Sequence, residues 1–150
     1  MRIITADEVI RQARSLIGVE YRHMGRGGKG GLDCVGLGIV VGQALDQIPL
    51  DLDKLLPPYA PHSLATLMEI FWTYVDPIEI ADVRPGCGYL LCHSPQGEGS
   101  RKPRHLAIRS DYGVIQVNWS PSINKVTEAV IDQDVSERIV AGWRYKGLVL

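Results

Sequence analysis

The residues best placed to do chemistry are Asp33 and Cys34, at the head of the stretch Leu32-Asp33-Cys34-Val35-Gly36-Leu37-Gly38-Ile39-Val40-Val41. A glycine-dense run, Gly25-Arg26-Gly27-Gly28-Lys29-Gly30-Gly31, precedes them and has the composition of a loop. If the apolar stretch is a helix, Cys34 stands in its first turn, among unpartnered backbone N–H groups and at the positive end of the dipole. That setting lowers a thiol pKa and makes a nucleophile available. The same residue also suits a small, inert, buried cysteine. A thiol nucleophile needs a base within hydrogen-bond reach and a third group to orient that base. Of the four histidines, His62 stands in a proline-rich crossing and His93 begins a polar loop. His23 is close to Cys34 in sequence, but the glycine run between them hides its direction. His105 opens the apolar segment His105-Leu106-Ala107-Ile108, and a turn at Gly113 returns Val114-Ile115-Gln116-Val117-Asn118 beside it. Either Gln116 or Asn118 can then offer an amide oxygen to the imidazole. A half-exposed strand histidine with no such role fits the same spacing.

The elements that must hold these groups follow from pattern. Thr5-Ala6-Asp7-Glu8 has the form of a capping box. Val9, Ile10, Ala13, Leu16 and Ile17 recur at helical spacing until Gly18, so a first helix is expected there. A second helix is expected from Cys34 to about Gln47, ended by Pro49. Gly36, Gly38 and Gly42 weaken it by roughly 1 kcal/mol each relative to alanine, which leaves a buried strand as the competitor. The length of the apolar run favours the helix, with the glycines permitting close packing. Leu50 to Pro61 is an irregular crossing rich in proline. Ser63 caps a third expected helix through Leu64, Leu67, Met68, Phe71, Trp72 and Val75, with Pro77 beyond its end. The remainder reads as strands: Gly88 to Cys92 after the turn Arg84-Pro85-Gly86, then Arg104 to Ser110, Val114 to Trp119, Lys125 to Ile131 and Ile139 to Tyr145. Helices first and a meandering antiparallel sheet afterwards make an α+β fold.

The chain has 150 residues, 45% hydrophobic and 22% charged, as expected of a single globular domain over residues 1–150 that forms its core without staples. A net charge of -1 argues against a nucleic-acid or other polyanion binder. Three cysteines cannot form a complete disulfide framework. The opening Met1-Arg2-Ile3-Ile4-Thr5-Ala6-Asp7-Glu8 lacks the form of a secretory signal, and no stretch has the length of a membrane span. The expectation is a chain made in the cytoplasm, with no membrane insertion and no export route of its own.

Taken in order, Gly18-Val19-Glu20-Tyr21-Arg22, the glycine-rich loop, Asp33-Cys34-Val35-Gly36-Leu37, Arg84-Pro85-Gly86, His105-Leu106-Ala107-Ile108 and Gly113-Val114-Ile115-Gln116 resemble the NlpC family of cell-wall cysteine peptidases, whose fold is papain-like. The resemblance spans most of the chain. It implies N-terminal helices packed on a central antiparallel sheet, Cys34 as nucleophile and His105 as general base. Gln116 falls at the third polar position, more often a histidine in the family, with Asn118 in reserve. Tyr21 and Asp33 match the tyrosine and aspartate that hold the free amine of a stem peptide, and a phenol and a carboxylate suit an ammonium. Asp33 also has the form of a helix N-cap. Val35 replaces a small hydroxyl residue, and Cys87 replaces an aspartate after the Pro-Gly turn. The implied reaction is hydrolysis of an amide in a peptidoglycan stem peptide, from D-glutamate to the diamino acid, with no metal and no cofactor. The closing stretch Ser136-Glu137-Arg138-Ile139-Val140-Ala141-Gly142-Trp143-Arg144-Tyr145 is similar to the branch found in phage tails and gene-transfer particles. It implies a virion or tail-associated protein with other tail proteins as partners.

Three other readings use the same residues. Cys87, Cys92, His93 and His105 could ligate zinc, although the Cys87–Cys92 gap is wide and adjacent Cys92 and His93 splay on a strand. A tail module keeping the papain-like fold without turnover accommodates Val35 and Gln116. An acyltransferase or amidase with another substrate is the third, since related folds host several acyl transfers.

Overall fold

The computed structural model describes residues 2–26, 31–52, 69–93, 101–118 and 122–150. The expected third helix, its cap Ser63, and His62 lie largely or wholly outside these residues. A two-residue strand β1, Ile4–Thr5, leads directly into helix α1, Ala6–Arg14. The capping box is present: Thr5 Oγ1 accepts from the Glu8 N–H, and the Glu8 carboxylate accepts from the Thr5 N–H at 2.8 Å. Two of the helix's orphan donors are satisfied in this way. Val9, Ile10 and Ala13 form its buried stripe. The helix ends at Arg14, earlier than the spacing of Leu16 and Ile17 implied. Those two residues fall in turns closed by Leu16 N–H to Ala13 O and Ile17 N–H to Arg14 O. Gly18 then adopts φ +93°, a left-handed conformation that only glycine takes freely.

Helix α2, Cys34–Ala44, is apolar on every side and accordingly enclosed, with Val35, Leu37, Ile39 and Val41 buried. It stops at Ala44, three residues short of the expected end, where Gln47 N–H and Ile48 N–H both turn back to Gly42 O. Its glycines are contact surfaces. A Cβ on Gly36 would stand 2.3 Å from Gly25 O, and one on Gly42 would stand 2.6 Å from Ile48 Cδ1. The intrinsic cost of glycine in a helix is thus offset by an approach that no larger residue permits.

Six strands form one antiparallel sheet in the order β2-β7-β3-β4-β5-β6: β2 Val75–Ile78, β3 Gly88–Leu91, β4 His105–Arg109, β5 Val114–Val117, β6 Val126–Ala129 and β7 Ile139–Tyr145. The four strands β3 to β6 are a meander. β7 returns to pair with β3, and β2 pairs with β7 on the outer edge. Val75 is therefore in a strand and not in the third helix. Helical conformation ends at Phe71, and Pro77 lies inside β2, opposite Trp143. Proline lacks an N–H, so an edge strand is where a sheet admits it. A last pair, β1 with β8 (Leu148–Val149), is parallel and joins the chain ends. A short helix, Gln133–Arg138, capped by Asp132, precedes β7.

The helix α2 lies over β4 and β5. Its carbonyl at Gly38 accepts from the buried Tyr145 hydroxyl at 2.6 Å. Trp143 stacks edge-on between Phe71 and Tyr145, 5.1 Å from each, and its indole N–H donates to Tyr89 O. This aromatic row fixes α2 against the sheet, and with it the position of Cys34. Among the described residues no helix is long and apolar enough to cross a membrane.

Candidate active site

Cys34 is the first residue of α2, and Asp33 is its N-cap. The donors of the first turn can be accounted for one by one. Gly36 N–H goes to Asp33 Oδ1 at 2.6 Å, and Leu37 N–H makes the first helical bond to Asp33 O at 3.1 Å. The N–H groups of Cys34 and Val35 act on the thiol to lower its pKa, as the unpaired donors of a helix start do.

The other side of the thiol is β4. Cys34 Sγ lies 4.0 Å from Arg104 O, 70 residues away in sequence, and the Leu106 N–H acts on the thiol to lower its pKa. The sulfur thus faces the start of β4, where Arg104 precedes His105. His105 Nε2 lies 2.8 Å from Gln116 Oε1. An amide oxygen only accepts, so Nε2 carries the proton and Nδ1 is the basic nitrogen of the neutral ring. The strand register pairs Ile108 with Ile115 and Arg109 with Val114. Extended, it sets Asn118 opposite His105 and Gln116 on the diagonal, within reach of a long side chain. Gln116 makes the contact. The Asn118 amide instead donates to the Thr127 hydroxyl.

Tyr21 is brought in by backbone pairing at the sheet edge. Gly18 N–H bonds Val126 O, Tyr21 N–H bonds Asn124 O, and Glu20 bridges Lys125 beside β6. The half-buried Tyr21 phenol is held above its ordinary pKa by burial, then by the charges of Asp33 and Cys34. Tyr21, Asp33 and Cys34 thus share one electrostatic neighbourhood, which β4 and β5 join through His105 and Gln116. Of the remaining histidines, His23 lies in the turn after Arg22, half-buried, and His93 is exposed after β3. Cys87 and Cys92 are fully buried, and among the described residues no three metal-ligating side chains come together.

Two features were not visible in the sequence. The first concerns the charge state of the thiol. A helix terminus was expected to lower the Cys34 pKa; the direction is the reverse. Burial pushes it up, the Asp33 carboxylate adds to this, and the result is about 12. The N–H groups of Leu106, Val35 and Cys34 pull downward without prevailing. Desolvation of a thiolate outweighs partial charges here because β4 covers the sulfur. The second feature is Arg26. Its guanidinium meets Asp33 Oδ1 at 3.1 Å and Gly25 O at 3.0 Å, while the Met24 N–H donates to Asp33 Oδ2 at 2.9 Å. Both carboxylate oxygens are thereby engaged from the loop side. The glycine run, which masked the loop's path, concealed this ion pair.

No family model matches the sequence, and no curated protein does. Solved structures do. A crystal structure of an NlpC/P60 family protein from Bacillus cereus superposes with a TM-score of 0.68 at 18% identity, covering 95% of this chain and 41% of that one. The NlpC/p60 domain of the peptidoglycan hydrolase SagA gives 0.59 at 16% identity, covering 93% and 97%. An NLP/P60 family protein from Staphylococcus aureus, similar to a lipoprotein, gives 0.60 at 15%, covering 93% and 41%. The chain thus spans nearly all of the SagA domain and less than half the length of the other two. At these identities the likeness establishes the fold: α+β, papain-like, of the NlpC/P60 type.

Proposed function

We propose that this chain is a cysteine peptidase that hydrolyses an amide bond in peptidoglycan stem peptides. The observation that carries the reading is the approach of Cys34 Sγ to the start of β4, at Arg104 O beside His105, while Gln116 holds one nitrogen of that imidazole. The fold shared with a peptidoglycan hydrolase domain supports the substrate class. The bond from D-glutamate to the diamino acid is the one the family resemblance favours.

In the proposed cycle the resting thiol is neutral, in keeping with its raised pKa. His105 Nδ1 takes the thiol proton as the substrate carbonyl arrives, and the sulfur attacks the carbonyl carbon. The oxyanion is stabilised by backbone N–H groups at the start of α2, beginning with that of Cys34. His105 then gives its proton to the leaving amine. Water, activated by the same imidazole, hydrolyses the thioester and restores the thiol. Gln116 keeps the ring oriented through the Nε2 proton and adds no charge. No metal or organic cofactor enters the cycle.

The similarity of the closing stretch, residues 136–145, supports association with a phage tail or gene-transfer particle, with other tail proteins as partners and the cell wall as the place of action. A second reading, a tail module with little or no turnover, is favoured by one observation, the neutral amide of Gln116 as the partner of His105. Incubation with purified muropeptides, read by mass, separates the two. The peptidase releases two fragments whose masses sum to substrate plus water and identify the bond cut. The module returns the substrate intact.

A further inference from the structure

The residues that lead into β4 are tied across the end of β3. Leu91, the last residue of β3, pairs with His105 on one side and with Ile139 of β7 on the other. The Arg104 N–H bonds Leu91 O at 2.8 Å, and the Cys92 N–H bonds Arg138 O at 2.8 Å. Just before Arg104 in sequence, the Arg101 guanidinium donates to Glu137 O at 3.1 Å and to Ile139 O at 2.9 Å. Since β3 lies between β4 and β7, residues 101–104 and this side chain together span the end of β3. A planar fork of donors suits two carbonyls at once, and carbonyls at a helix end carry partial negative charge that a cation complements.

This strap is also a wall of the candidate site. Arg104 O is the atom 4.0 Å from Cys34 Sγ, and His105 follows it in β4. The thiol owes its raised pKa first to burial, so whatever holds Arg104 in place also keeps water from the sulfur. Pro103 has no N–H with which to tie the segment to the sheet; a side chain supplies the tie. Arg101 is exposed and its hydrogen bonds go to backbone. Its neighbour Lys102 is also exposed, and that side chain makes no hydrogen bond or ion pair among the described residues.

We propose that Arg101 is a positioning residue for the chemistry of Cys34: tied to β7, it holds the Arg104 carbonyl against the sulfur and keeps that wall of the cleft closed. The inference rests on the hydrolase reading for what the sulfur does, whereas alkylation of the thiol tests the wall apart from turnover. Opening the strap admits water to the sulfur, eases formation of the thiolate and misplaces the groups around it. The two effects have opposite signs, because the thiol becomes easier to alkylate while hydrolysis slows. A general loss of stability would instead expose every buried thiol alike.

The experiment compares Arg101→Ala, Arg101→Lys and Lys102→Ala with the wild type, each as the full chain and shown to be folded by thermal melting. Labelling by iodoacetamide at neutral pH is read by peptide mass at Cys34 and at the buried Cys87. Hydrolysis of a defined stem peptide gives kcat and KM. Arg101→Ala is expected to label about tenfold faster at Cys34 with Cys87 unchanged, and to lose about tenfold in kcat with little change in KM. Arg101→Lys, whose ammonium lacks the fork, should fall between the two, and Lys102→Ala should match the wild type. Cys34 labelling that is unchanged or slower in Arg101→Ala, acceleration shared by Cys87, or the same acceleration in Lys102→Ala overturns the inference. The expected labelling pattern with no hydrolysis by any of the proteins removes the peptidase and keeps the latch. Hydrolysis by the wild type, with labelling or kcat untouched by Arg101→Ala, does the opposite.

Discussion

His105 Nε2 and Gln116 Oε1 lie 2.8 Å apart on adjacent strands, and the chemistry of an amide oxygen fixes which ring nitrogen carries the proton. A neutral partner orients the imidazole without stabilising its cation electrostatically. Replacing Gln116 by alanine should lower kcat by about 10- to 100-fold with little change in KM, since the ring would lose its orientation. Gln116→Glu puts a carboxylate at the same atom and favours the imidazolium, so the acid limb of the kcat/KM profile should move to higher pH. Steady-state kinetics across pH, with melting curves as the check on folding, measure both.

Asp33 raises the Cys34 pKa, after burial itself. Asp33→Asn keeps an oxygen to accept the Gly36 N–H but removes the charge. The thiol pKa should therefore fall, and alkylation of Cys34 by iodoacetamide at pH 7.5, an assay pH of about 7.5 being far below the wild-type thiol pKa, should accelerate several-fold. Asp33→Ala also removes the cap of α2 and should destabilise the protein by about 1 kcal/mol. Labelling rates and denaturant titrations distinguish the two effects.

Gly36 and Gly38 offer a matched pair of substitutions within α2. A Cβ at Gly36 meets the backbone carbonyl of Gly25 at 2.3 Å, whereas one at Gly38 meets the Leu106 side-chain methyls at 3.2 Å. Backbone cannot yield as a leucine terminus can. Gly36→Ala should cost about 1–3 kcal/mol and disturb the Arg26–Asp33 loop, while Gly38→Ala should be much better tolerated. Thermal melting of the two variants measures the difference.

The raised Cys34 pKa also has a consequence for alkaline stability. A thiol has an ordinary pKa of 9.0, and the folded value is about 12. Between these limits the unfolded chain releases this proton and the folded chain keeps it, so the native state binds more protons and loses stability as pH rises. The contribution is intact below about pH 9. Cys34→Ala removes it, so the variant should lose less stability than the wild type between about pH 9 and pH 11. The buried Tyr145 phenol, also raised by burial, contributes to the decline in both proteins. Parallel stability curves from denaturant titrations would contradict this assignment.

The parts of the fold that were legible in the sequence are those set by short-range chemistry. Thr5 and Glu8 announce a capping box. Asp33 before an apolar run announces the start of α2. Ser110 and Gly113 close the β4–β5 turn, in which Ser110 Oγ accepts the Gly113 N–H at 2.8 Å. Where the expectation failed, a distant partner decided the matter. Val75 continues the helical spacing of Phe71 and Trp72 in sequence, yet it is drawn into the sheet by β7. β1 and β8 are two residues each and exist through pairing across the whole chain. The helix Gln133–Arg138 is too short to show a periodicity.

The candidate site divides in the same way. Cys34, Asp33, His105 and Gln116 could be named from residue type, turn spacing and resemblance. The direction of the thiol's pKa could not, because the groups that bury it come from β4. Arg26 could not, because the backbone near it is left-handed at Met24, with φ 61°, and at Gly31, with φ 72°, and glycine-rich sequence does not encode such conformations uniquely.

The most direct measurement is hydrolysis of a defined stem peptide by the wild type, Cys34→Ala and His105→Ala, each shown to be folded, with products read by mass. The wild type should cleave one amide, and an acyl adduct should be trapped on Cys34 by rapid acid quench. Cys34→Ala should give no cleavage, and His105→Ala should lose about 10²- to 10⁴-fold in rate. Cleavage by folded Cys34→Ala, or near-wild-type turnover by His105→Ala, would contradict the pairing of that sulfur with that imidazole.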